Sequence, residues 1–230
     1  TLGGDVIDDF ELYYGDNDYL NGTYTENSAA NCKSSFTLDA ENRASGSYGG
    51  SFDYQLKTNG PEVWTGRMKG LDNSDYSAYN ALSMWVKPDG NGQKLVIQLV
   101  SNGEDFEVYL TDFVAGTEAK YVTIPFSSFK GKAGGTFDPA HVSKFAVWCN
   151  SIIPEGENGV DISSSIVFDD IRYVNVDEST LELTSGGYAL TDSSIVGGGD
   201  EEPTETPDEE PTETPDEEPT ETPEDVAATG

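Results

Sequence analysis

Between residues 81 and 110 the chain alternates apolar and polar positions three times over. Leu82, Met84 and Val86 alternate with Ser83, Trp85 and Lys87. Leu95, Ile97 and Leu99 then alternate with Val96, Gln98 and Val100, and Phe106, Val108 and Leu110 with Glu107 and Tyr109. A period of two marks a strand with one face on a core, and the Gly- and Asn-bearing breaks at 88–92 and 102–103 read as turns. The pattern predicts three antiparallel strands in a meander. Its opposite face is not plainly polar: it carries Trp85, Gln98 and Tyr109 together, so it is covered by other chain or meets a ligand.

The rest of the first 177 residues follows the same rule. Residues 5–14 read as a strand crowded with acids, and 15–32 as a polar, Gly- and Asn-rich loop. Residues 47–56 put Phe52, Tyr54 and Leu56 on one face, and 62–68 form another short strand. Residues 121–129 alternate Val122, Ile124 and Phe126, with Pro125 at an edge or strand end. A single helical turn is expected at 137–142. Residues 144–150 send Phe145, Val147 and Cys149 inward and Ala146, Trp148 and Asn150 outward, and 164–176 make the last strand. Many short strands with almost no helical periodicity predict an all-β fold, an antiparallel β-sandwich.

Past Asp177 the character changes. Residues 179–199 read as a short extension that adds little ordered chain and ends in three glycines. EEPTETPD then occurs at 201–208 and 209–216, followed by EEPTETPE at 217–224. Such a Pro/Thr/Glu repeat buries no core, and its like charges keep it extended. Residues 200–230 are therefore expected to be a disordered acidic linker between modules of a secreted protein, with bacterial cell-surface attachment as a variant. The start at Thr1 reads as a cut from a longer protein.

Charge narrows the partners. The chain of 230 residues carries a net charge of −31, and fourteen of its 43 acidic residues lie at 200–225 among no Lys or Arg. The remainder is still strongly acidic. Binding to nucleic acid or to an anionic membrane is not expected, since both need basic surface. No apolar run approaches the roughly 18 residues of a membrane span. Two cysteines leave a buried thiol at Cys149 and a Cys32–Cys149 disulfide both open.

Several segments together resemble a known group. They are DDFE at 8–11, YGGSFDYQL at 48–56, LSMWVK at 82–87, YVTIPFSSF at 121–129, FDPAHVSKFAVW at 137–148 and VFDDIRYV at 167–174. The chain resembles the non-catalytic carbohydrate-binding modules with a galactose-binding-like β-sandwich (jelly roll), closest to family 11 and its relatives, over residues 1–178. The resemblance implies structural Ca²⁺ held by Asp9, Glu11 and Asp169 with a carbonyl near 45–48. Carboxylates gathered in space repel unless protonated or bound to a hard cation, which takes 6–8 oxygens. The alternative is solvated acids at strand ends.

The non-core strand faces supply the candidate sugar contacts Asp53, Gln98, Glu107, Tyr109, Trp148 and Asn150. Trp64 and Arg67 join them because their strand matches an aromatic-bearing segment of the resembling modules. Aromatic rings stack on the C–H faces of β-glycans, while amides, carboxylates and guanidinium groups bond the hydroxyls. Packing is the competing role for every Trp and Tyr. Catalysis is not expected: the one histidine, His141, sits in a turn with no nucleophile motif, and acids are too numerous to single out a pair. The expected function is binding single chains of plant cell-wall β-1,4 or mixed-linked glucan or xyloglucan, as a monomer, for an appended glycoside hydrolase. β-Mannan or glucomannan is the alternative ligand, and a structural or adhesion sandwich the alternative class.

Overall fold

The computed structural model describes residues 5–57, 62–152 and 161–195. In chain order the first strands are β1 (Val6–Asp8), β2 (Tyr24–Ser28), β3 (Lys33–Asp39), β4 (Gly49–Leu56), β5 (Trp64–Ser74) and β6 (Ala81–Lys87). They are followed by β7 (Lys94–Ser101), β8 (Glu104–Tyr109), β9 (Lys120–Pro125) and β10 (Lys130–Gly131). The last three are β11 (Val142–Asn150), β12 (Ile162–Val174) and β13 (Ala189–Thr191). One sheet has the order β13-β9-β6-β12-β4-β3, with β1 beside β12; the other has the order β10-β8-β7-β11-β5-β2. The pairings are antiparallel, and the two inner faces make the core of a β-sandwich.

The alternation read from the sequence places the core. Phe52, Tyr54 and Leu56 of β4, Leu82, Met84 and Val86 of β6 and Phe168 of β12 come from the seven-stranded sheet. Leu95, Ile97 and Leu99 of β7, Phe106 of β8, and Phe145, Val147 and Cys149 of β11 face them from the six-stranded sheet. Each such side chain, fully buried, contributes on the order of 1.5–3 kcal/mol. Both cysteines are buried free thiols, and burial pushes the Cys149 thiol's pKa well up.

Four sequence expectations change. The meander at 81–110 is divided: β6 pairs with β9 and β12, whereas β7 and β8 belong to the other sheet. The connection 88–93 is long enough to cross between sheets, and a two-residue hairpin turn is not. Residues 5–14 form only the short β1 before turning. The expected loop 15–32 contains the helix α1 (Asn17–Thr23) and β2. Asp16 caps α1, accepting from the N–H groups of Asp18 and Tyr19. Residues 137–142 make a turn, held by the Ala140 N–H donating to Asp138 at 2.9 Å, and not a helical turn.

The domain boundary also moves. Residues 179–195 fold onto the sandwich: β13 pairs with β9, and Tyr188 and Ala189 are buried. Lys120 on β9 pairs with Asp192 just beyond β13. The compact unit runs from Thr1 to Gly197 and the second begins at Gly198. The expected linker at 200–230 lies outside the described residues.

Candidate functional site: the outer face of the six-stranded sheet

Opposite residues of an antiparallel pair share a face. On β11, Asn150 stands opposite Trp64 of β5 and Lys94 of β7; Trp148 stands opposite Gly66 and Val96. Val96 in turn faces Tyr109 of β8, and Gln98 faces Glu107. Phe145, Val147 and Cys149 point into the core, so Trp148 and Asn150 point out. The result is a cleft of about 260 Å³ lined by Asn27, Trp64, Gln98, Asp105, Glu107, Lys132, Trp148 and Asn150.

Two indoles form its apolar side. The Trp64 and Trp148 rings meet edge to face, with centroids 5.7 Å apart at 65°, an arrangement worth about 0.5–1.5 kcal/mol beyond area burial. A chain of polar contacts fixes the second indole. Trp148 Nε1 donates to Gln98 Oε1 at 3.2 Å, and Gln98 Nε2 donates to Glu107 Oε1 at 3.3 Å. Lys132 Nζ lies 2.9 Å from that same carboxylate oxygen. Glu107 is nearly buried, and the hydrogen bond it accepts from Lys132, with its charge behind it, raises the Lys132 pKa. The cleft thus offers ring faces beside amide, carboxylate and ammonium groups, the mixture that stacks on a sugar's C–H face and bonds its hydroxyls.

Five of the expected contacts line this cleft: Trp64, Gln98, Glu107, Trp148 and Asn150. Tyr109 lies on the same sheet face at its margin, 44% exposed. Arg67 and Asp53 do not join them. Arg67 is three residues from Trp64, so on a regular strand the two take opposite faces. Arg67 reaches inward, donating from Nε to Ser34 O at 3.0 Å and from Nη1 to Tyr24 O at 2.8 Å, with Glu26 3.6 Å away. Asp53 points outward as expected, but from the seven-stranded sheet, where it accepts from Thr37 and Ser51 at 2.7 Å and from Ser165. Trp85 is likewise on that sheet.

Sequence reasoning missed Asn27, Asp105, Lys132 and Gly66. Asp105 shares its parity with Glu107 and Tyr109, so the alternation carried that signal. Asn27 and Lys132 depend on an unforeseen strand and a Gly-rich turn.

The carboxylates proposed for calcium have other partners. Glu11 Oε1 accepts from the N–H groups of Ser47 and Tyr48 at 2.8 and 2.9 Å. Asp169 Oδ2 accepts from Ala44 and Ser45 at 2.8 and 3.2 Å, and its Oδ1 from Asp170 at 2.7 Å. Both therefore hold the loop 44–48. Burial pushes the Asp169 carboxyl up to about 6. Asp9 is separate, accepting from the N–H of Glu11 at 3.2 Å. Among the described residues no three His, Cys, Asp or Glu side chains are grouped to hold a metal ion. As arranged, the set of three does not fit calcium, because its oxygens are turned to N–H donors.

Its neighbour Asp8 is the structural acid. It is buried, accepting from the Phe10 N–H at 2.8 Å, the Tyr24 hydroxyl at 2.8 Å and the Tyr13 hydroxyl, with Lys69 Nζ 3.2 Å away. This network ties β1 to the turn at 10–13, to β2 and to β5.

Comparison with known proteins bears on the fold and the family. The chain is similar to a family 11 carbohydrate-binding module of the cellulosomal cellulase Lic26A-Cel5E of Clostridium thermocellum, with a TM-score of 0.53 at 19% identity over 76% of this chain and 96% of that one. A Clostridium thermocellum family 11 module in complex with a β-1,3-1,4-mixed-linked tetrasaccharide gives a TM-score of 0.52 at 19% identity, covering 76% and 98% of the two chains. In sequence, 136 residues are 29% identical to a mannan endo-1,4-β-mannosidase of Bifidobacterium adolescentis, over 59% of this chain but only 13% of that enzyme's length. Residues 1–140 match the family described as "Carbohydrate binding domain (family 11)". With that match over more than half its length, the chain belongs to family 11 of the carbohydrate-binding domains, and it is a non-catalytic binding module.

Proposed function

We propose that this module binds single, uncharged chains of plant cell-wall β-glycan on the outer face of its six-stranded sheet. The carrying observation is the cleft in which Trp64 and Trp148 stand beside Gln98, Asn150, Glu107 and Lys132. β-1,4 or mixed-linked glucan or xyloglucan is the favoured ligand, supported by the tetrasaccharide complex of a protein of the same fold. The strong negative charge of the chain disfavours anionic polysaccharides. β-Mannan or glucomannan is the second reading, favoured by the sequence similarity to a mannanase. The acidic repeat at 200–230 supports tethering to a secreted hydrolase. Affinity of a shallow, wet site with few stacking contacts should be no better than micromolar.

Native affinity electrophoresis of the full chain through gels of β-glucan, xyloglucan, glucomannan, galactomannan and xylan tests this, with Trp148→Ala alongside. Retardation on one class that the variant loses supports the proposal and names the ligand. Free migration in every gel removes it in favour of a structural or adhesion role.

A thermal scan in EDTA and then Ca²⁺ tests the misfit of Asp9, Glu11 and Asp169 to calcium: an unchanged midpoint is expected, and a rise on adding Ca²⁺ would restore calcium to this set.

A further inference from the structure

The row that carries Trp148 does not end at the cleft. Trp148 on β11 is opposite Val96 on β7, and Val96 is opposite Tyr109 on β8. Two steps between neighbouring strands put the Trp148 and Tyr109 positions about 10 Å apart on the same face. In a β-1,4-linked chain each sugar is turned over relative to the next, so alternate sugars present the same face. A chain stacked on Trp148 and running across the strands therefore brings a second ring face toward Tyr109.

The Tyr109 ring is already covered. Lys94 Nζ stands over it, 4.1 Å from the centroid. Lys94 forms none of the ion pairs found among the described residues. In a chain with 43 acidic residues and twelve basic ones, an ammonium that rests on a ring in place of a carboxylate marks a local preference. Lys94 also stands opposite Asn150 in the register, which places it between the cleft and the outlying tyrosine. A cation–π contact at an exposed site is weak enough for a stacking sugar to displace, worth about a two- to fivefold change in affinity.

We propose that Lys94 is a displaceable cap on a second sugar platform, the Tyr109 ring, and that it sets how long a glycan this face engages. The inference rests on the sugar-binding reading of the cleft. A disaccharide over Trp148 leaves the cap in place; a longer chain must move it before its distal sugar can stack. Lys94 is thus a specificity-determining residue that disfavours the extended ligand.

Titration calorimetry with β-1,4-linked gluco-oligosaccharides of two, four and six sugars tests the cap on the full chain. Lys94→Ala should bind the hexasaccharide about two- to fivefold tighter than the unmodified protein and the disaccharide equally well. Adding Tyr109→Ala should abolish that gain. NMR supplies an independent readout: the Lys94 side-chain methylene protons should lose their ring-current shift when the hexasaccharide is added and keep it with the disaccharide. Equal or weaker binding of the hexasaccharide by Lys94→Ala, or a gain that survives Tyr109→Ala, overturns the cap. Loss of binding by the unmodified protein at every length overturns the reading of the cleft itself, and the cap with it.

Discussion

The indole of Trp148 lies directly over Gly66: a β-carbon built on Gly66 would sit 2.2 Å from Trp148 Cε3 and 2.5 Å from Cδ2. No side chain fits there while the indole keeps its place. The glycine is a seat for the ring, so the shape of the cleft depends on a residue with no side chain of its own.

Gly66→Ala is therefore expected to push the indole out of the cleft and weaken glycan binding at least tenfold. The same β-carbon would also stand 2.8 Å from Val147 O, so about 1–3 kcal/mol of stability should go with it. Calorimetry at a temperature where circular dichroism shows the variant folded separates the two effects. Unchanged affinity would mean that the ring's position is not what the ligand reads.

Gln98 is the link between Trp148 and the Glu107–Lys132 pair. Gln98→Ala removes the acceptor of the indole N–H and one donor to a nearly buried carboxylate. Affinity should fall about three- to tenfold, and the unfolding free energy by about 1–3 kcal/mol from the poorly satisfied Glu107. Affinity electrophoresis and urea titration read the two quantities separately.

Arg67 has the opposite profile. Its guanidinium satisfies backbone carbonyls of Ser34 and Tyr24 between the sheets. Arg67→Met should cost about 2–4 kcal/mol through orphaned acceptors and the loss of Glu26's partner, lowering the midpoint by roughly 5–15 °C for a domain of this size. Glycan affinity, measured well below that midpoint, should not change. A selective loss of affinity would put Arg67 back in contact with the sugar.

Cutting after residue 178 removes Tyr188 and Ala189 from the core and β13 from the edge of β9. The buried tyrosine alone is worth about 2–3 kcal/mol, so the shortened chain should unfold at a clearly lower temperature. Cutting after residue 197 should leave the midpoint where it is. Equal midpoints for the two cuts would show that 179–195 adds nothing to the fold.

Much of this arrangement was legible in alternation alone. On β11, Phe145, Val147 and Cys149 face in and Trp148 and Asn150 face out, as a period of two requires. What alternation does not carry is the identity of the sheet. Asp53 and Gln98 both point away from the core, yet they lie on opposite sides of the molecule because β4 and β7 belong to different sheets. Likewise Trp85 and Tyr109 alternate alike but sit on different sheets, because the connection at 88–93 crosses between them. Arg67 differs again: three residues from Trp64 on one strand, its parity alone places it on the inner face. The acids near the first strand show a third limit, since Asp8 and Asp9 are adjacent and alike in sequence. Only packing decides that Asp8 holds two phenols and a lysine while Asp9 turns to its own backbone.

The fold of 179–195 gives the molecule a division of load. The chain continues past 195 from β13, on the seven-stranded sheet, whereas the cleft belongs to the six-stranded one. A pull arriving along that continuation would enter through the pairing of β13 with β9, in the sheet that does not carry the cleft. Strain on the proposed tether would then be taken first by backbone hydrogen bonds on the sheet away from the cleft.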